Sequence, residues 1–140
     1  MKVCGVELKG NDAIVCLLSF DEGLFAIPEC RVSKITINDA GDAHQLRHFQ
    51  FTFNKLMSDY NVDKVAIKQR ATKGKFAGGH VGFKLEAALQ LSESLEVFLM
   101  SSNDHKESLK RTELTIDFRD TGLKKFQEQA FTTAFAFLSR

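Results

Sequence analysis

Residues able to do chemistry are concentrated in one stretch of this sequence. Lys68 to Gly79, KQRATKGKFAGG, holds four basic residues, three glycines and no acid. It joins an apolar, strand-favouring run to a run with helical spacing. Backbone N–H groups at a helix N-terminus are unpaired and carry partial positive charge, so a glycine-rich entry flanked by Lys73 and Lys75 can hold a phosphate-sized anion. In an open sheet with parallel strands, ligands sit beyond the carboxyl ends of the strands. Lys68, Gln69 and Arg70 emerge at that place. Lys68, Arg70, Lys73, Lys75, Gly78, Gly79 and His80 are therefore the expected ligands for the phosphate of a nucleic acid or nucleotide. The alternative is a solvated basic loop whose glycines only permit a turn.

Other chemistries fail on residue type. Gly74 to Gly79 has the spacing of a nucleotide-hydrolase loop, but His80 and Val81 stand where Lys and a hydroxyl are needed. His44 and His48 are four apart, yet Gln45 replaces the Glu that a helical zinc-protease motif requires. No serine elbow is present, and Cys4, Cys16 and Cys30 contain no Cys-x-x-Cys pair. Cys4 and Cys16 fall in apolar runs and are expected to be buried thiols, whereas Cys30 beside Arg31 comes closer to a reactive setting. No metal site is expected from spacing. Glu7 is the oddest acid, placed in the first strand where alternation favours an apolar residue or a purposeful charge. On the outer face of the first helix, Phe51 lies exposed among His48 and Lys55, as a contact for a partner or for the final helix.

The elements that must position these groups follow from periodicity. Val3–Lys9 and Ala13–Phe20 flank Gly10, Asn11 and Asp12, which predicts a hairpin. Arg31–Ile37 is a third expected strand. Leu46, Phe49, Phe53, Leu56, Met57 and Tyr60 recur at helical spacing. Val62–Lys68 and Leu95–Met100 read as buried strands, separated by a helix over Val81–Ser94. Ser101 to Asp104 provide capping chemistry for a short polar helix, and Leu123–Leu138 is a final helix apolar around half its girth. The order β, β, β, α, β, α, β, α predicts a five-stranded mixed sheet, three antiparallel strands followed by αβ crossovers, with helices on both faces.

With 140 residues, 44% hydrophobic and 26% charged, the composition is that of one domain, 1–140, large enough to bury a core without disulfides or structural metal. Nineteen basic against eighteen acidic residues leave a net charge of +1, so any case for a polyanionic partner is local. No apolar run approaches the roughly 18 residues of a membrane span, and nothing resembles a signal peptide. A cytoplasmic protein with no membrane association is expected.

VCGVELKGNDAIVCLLS, VDKVAIK, FKLEAALQL and LEVFLMSS, in that order around the glycine-rich turn, resemble the RNase H-like superfamily and within it the RuvC-type Holliday-junction resolvases. They are also similar to a small family of uncharacterised bacterial proteins. In the superfamily, an acid on the first strand, another ending the fourth and one or two on the last helix bind two Mg²⁺ ions that hydrolyse a phosphodiester. Glu7 matches the first position. The second, usually Ala-Ile-Glu, is here Ala66, Ile67 and Lys68, and the last helix offers only Glu128 beside neutral Thr132 and Thr133. One carboxylate cannot hold two Mg²⁺ ions. An ammonium at about 4 Å repels a divalent ion by several kcal/mol at an effective dielectric of about 20.

The sequence therefore predicts a catalytically degenerate domain, without cofactor, that binds phosphate through the basic loop. The runner-up is a Mg²⁺- or Mn²⁺-dependent nuclease using Glu7, Glu128 and a migrated acid, Asp63, Glu113 or Asp117. A third possibility is an interaction scaffold or homodimer using Phe51 and the Phe-rich final helix.

Overall fold

A computed structural model describes residues 1–71, 79–112 and 116–140. The hairpin forms as expected: β1 (Lys2–Lys9) and β2 (Asp12–Asp21) pair antiparallel from Lys2↔Ser19 to Lys9↔Asp12. Gly10 takes the turn at φ +59°, a conformation costly for a residue with a Cβ. Two short strands then line the outer side of β2, where the sequence predicted one over Arg31–Ile37. β3 (Leu24–Ala26) pairs near the end of β2, and β4 (Lys34–Thr36) near its start. Pro28 explains the break, because it has no N–H to give to a ladder.

The crossovers follow. Helix α1 (Ala43–Asp59) starts where the Asp42 carboxylate accepts the His44 N–H, and it returns the chain to β5 (Lys64–Lys68), parallel to β1. Helix α2 (His80–Gln90) leads to β6 (Val97–Met100), parallel to β5. Helix α3 (Ser102–Arg111) opens with a reciprocal capping box between Ser101 and Asp104. Two 3₁₀ turns, Phe118–Asp120 and Lys125–Gln127, precede α4 (Glu128–Leu138). The strand order is β3-β2-β1-β5-β6, with β4 also on β2.

Alternation along the strands divides the core in two. Cys4, Val6, Leu8, Val65 and Ile67 face Phe49, Phe53, Leu56, Leu85 and Leu89 of α1 and α2. Val3, Ile14, Cys16, Leu18 and Ala66 face α4. Seven of the eleven α4 residues are buried, so this helix is enclosed rather than laid on the surface. Each fully buried Phe, such as Phe131 and Phe135, contributes about 1.5–3 kcal/mol of burial. Gly5 permits the approach: a Cβ there would collide with the Ala130 carbonyl. Because α4 and α1 lie on opposite faces of the sheet, the expected contact of Phe51 with the final helix does not form. Phe51 remains 66% exposed.

Candidate functional site

The parallel register places Val6 beside Ile67, so one residue further Glu7 and Lys68 stand side by side at the carboxyl ends of β1 and β5. Both share the face of Gly5 and Ala66, towards α4, because side chains alternate along a strand. The Lys68 Nζ is 4.0 Å from Glu7 Oε2 and donates to Gln129 Oε1 at 2.9 Å. The Glu7 side chain is 18% exposed and that of Lys68 40%, so the carboxylate is the more enclosed partner.

The first turn of α4 completes this cluster with residues that sequence reasoning missed. Gln129 accepts from Lys68, whereas Glu128, the acid named for the nuclease alternative, does not join Glu7. Consecutive helical residues diverge by about 100°, and Glu128 points to solvent with no ion pair among the described residues. One turn on, buried Thr133 donates to the Gln129 carbonyl at 2.7 Å, and its Oγ1 lies 3.5 Å from His105 Nε2. Burial, and then the charge of Lys68, push the His105 imidazole below its ordinary value, against the opposing pull of Asp104. His105 is thus held neutral near pH 7. Its only sequence signal was its place beside a capping residue on a polar helix.

The basic cluster predicted from Lys68 onwards is divided by the sheet edge. Arg70 turns towards α2: its guanidinium donates to the Leu8 carbonyl, lies against Gly82, and stacks 5.6 Å from the Phe83 ring centroid. A Cβ at position 82 would displace that guanidinium, so Gly82 leaves it room to lie against α2. Nearby, burial raises the Glu86 carboxyl while the Arg70 charge opposes the shift. Arg70 therefore ties α2 to the end of β1 rather than facing solvent. His80 is exposed as the first residue of α2, and the N-cap Gly79 gives that terminus no side-chain hydrogen bond. N–H groups at such a terminus are donors of the kind that bind anions. Lys73, Lys75 and Gly78 lie outside the described residues, as does Glu113.

The other candidate acids are elsewhere. Asp63 exchanges hydrogen bonds with the backbone of Lys2, at the opposite end of the strands from Glu7. Asp117 caps a 3₁₀ turn and pairs with Arg119 at 2.8 Å, which holds its carboxyl below the usual range. On the outer face of α1, Lys55 is paired with Asp59 at 2.7 Å and His48 lies 3.5 Å from Thr52. Among the described residues no group of three or more His, Cys, Asp or Glu side chains could hold a metal ion. At the strand ends the donors are one carboxylate and one amide oxygen already facing an ammonium. They do not fit a pair of divalent ions, which need bridging negative charge.

Comparison with known proteins agrees with this architecture. Residues 1–137 match the family described as "Protein of unknown function (DUF3010)". No curated protein matches the chain. Among solved structures, the chain is similar to Thermus thermophilus RuvC with a TM-score of 0.74 at 9% identity, covering 99% of this chain and 94% of that one. It is similar to T. thermophilus RuvC in complex with Holliday junction substrate, with a TM-score of 0.71 at 10% identity and coverage of 99% and 93%. The yeast mitochondrial Holliday junction resolvase Ydc2 gives a TM-score of 0.59 at 9% identity, with coverage of 98% and 78%. Likeness at such identities is one of fold, and the fold is the RNase H-like one that the sequence resemblance implied. No helix among the described residues is long and apolar enough to cross a membrane.

Proposed function

Because the chain belongs to the DUF3010 family, whose description supplies no activity, we propose its function from its own residues: an RNase H-like domain without two-metal hydrolysis that binds nucleic-acid phosphate along the carboxyl edge of its parallel strands. One observation carries this reading. At the place where hydrolysis would need converging carboxylates, the Lys68 ammonium pairs with Glu7 and Gln129. Three further features support it. Lys68 is partly exposed, the α2 N-cap is a glycine with no side chain to offer the terminus, and Lys73 and Lys75 shortly precede His80 in the sequence. One protein of similar fold was solved with a Holliday junction, which makes a four-way DNA junction the first probe.

The test is fluorescence anisotropy with a labelled four-way junction at stepped salt. Log affinity should fall linearly with log salt, with a slope of about −0.9 per phosphate neutralised. Lys73→Ala/Lys75→Ala should weaken binding and flatten the slope by about 2, one for each cation removed. The same mixtures with Mg²⁺ or Mn²⁺ should yield no cleavage product. Binding that is absent or indifferent to salt would remove the proposal. Cleavage abolished by Glu7→Gln would establish the nuclease instead.

A further inference from the structure

The geometry points to Lys68 as a tethered substitute for a divalent cation: we infer that its ammonium occupies the cation position at the strand ends, and that it keeps a metal ion away from Glu7 and Gln129. This deepens the proposed function by saying why that site needs no metal.

The argument rests on what surrounds the ammonium. One amide oxygen is 2.9 Å away and one carboxylate oxygen 4.0 Å, hard oxygen donors of the type that bind Mg²⁺ or Mn²⁺. Behind them, the Thr133 hydroxyl donates to the Gln129 backbone carbonyl and lies 3.5 Å from His105 Nε2, which ties the first turn of α4 to α3. Glu7 and Gln129 converge on a single positive charge. An ammonium has three donors. Gln129 takes one and Glu7 faces a second, which leaves the third for a phosphate oxygen on the exposed side of Lys68. The chain thus carries its own monovalent cation where a metal would otherwise gather these ligands. A second cation beside it is repelled, and the Glu7 charge is already offset.

Two measurements on the intact chain separate this inference from the proposed function. Isothermal titration with MnCl₂ contains no nucleic acid. The native chain should show no Mn²⁺ binding in the millimolar range. Lys68→Glu, which reverses the charge at a 40% exposed side chain, should bind Mn²⁺ at least about tenfold more tightly, and adding Glu7→Gln should abolish that gain. Should Lys68→Glu unfold, as judged by circular dichroism, Lys68→Gln carries the same comparison without introducing a charge. Native Mn²⁺ binding that Glu7→Gln removes would overturn the inference, as would a folded Lys68→Glu chain that binds none. In the second measurement, junction affinity at constant ionic strength should be indifferent to Mg²⁺ and fall about tenfold in Lys68→Gln. If no form binds the junction, the proposed function fails while the Mn²⁺ titration still decides whether Lys68 excludes metal.

Discussion

A single side chain sets the character of the strand-end site, and a second makes it readable by pH. Lys68 puts a positive charge at the carboxyl ends of β1 and β5, 4.0 Å from Glu7 and hydrogen-bonded to Gln129. His105 reports on the same cluster. Its fold-state pKa lies below the ordinary 6.5 because of burial and Lys68, so just below pH 6.5 the unfolded chain takes up a proton that the folded chain resists. Stability is full above 6.5 and falls as the pH drops through that window towards the lowered value. Urea midpoints followed across it should decline in the native protein and decline less in His105→Gln. Glu86, whose raised carboxyl contributes in the opposite direction above its ordinary 4.5, is common to both proteins and cancels in the comparison. Equal slopes would show that His105 does not sense the cluster. In the sequence Glu7 and Lys68 were already conspicuous, one as an acid inside a strand and the other as a cation where a ligand was expected. Gln129 and Thr133 were not, because neutral polar residues on an apolar helix give no signal until their contacts are known.

At the scale of elements, β1 and α4 fix one another. Seven buried positions on eleven residues require the helix to sit deep, and it sits deep only because Gly5 presents no Cβ to the Ala130 carbonyl. Gly5→Ala should therefore destabilise the protein by about 1–3 kcal/mol through overpacking. The general advantage of Ala over Gly inside a strand, about 0.5–1 kcal/mol, is too small to compensate for a backbone clash. Thermal or urea denaturation checks this, and an unchanged or raised midpoint would mean that α4 can shift without loss. The same displacement would move Gln129 away from Lys68, so the variant should also lose junction affinity. Periodicity located both elements, but their mutual distance is a property of the packed pair. The basic stretch makes a similar point: it reads as one cluster, yet the edge of the sheet sends Lys68 towards α4 and Arg70 towards α2.

The whole molecule is two hydrophobic cores sharing one sheet, and the cysteines mark each of them. Cys4 lies in the core under α1 and α2, Cys16 in the core under α4, and Cys30 is half-buried at the edge of the first. Burial pushes the Cys16 thiol up to about 12 and the Cys4 thiol well above its ordinary value, and thiols rather than thiolates are inert to alkylation. Every central strand serves both cores, so the two should open together. Pulsed alkylation through a urea transition should modify Cys30 early, and Cys4 and Cys16 at a single common midpoint. Separate midpoints would show that one core survives without the other. The linear pattern of residues determined the order of the elements apart from the divided third strand, the two-faced strands, the heavily apolar final helix and the oddity of Glu7 and Lys68, because propensity, periodicity and charge are local and can be read in order. Only the tertiary structure decided that Gln129 meets Lys68 while Glu128 faces solvent, that His105 lies against Thr133 behind them, that Arg70 packs against α2 and that Phe51 stays away from α4. Each of these depends on a helix's rotation or on the side of the sheet it occupies, and those are fixed by contacts between residues far apart in the chain.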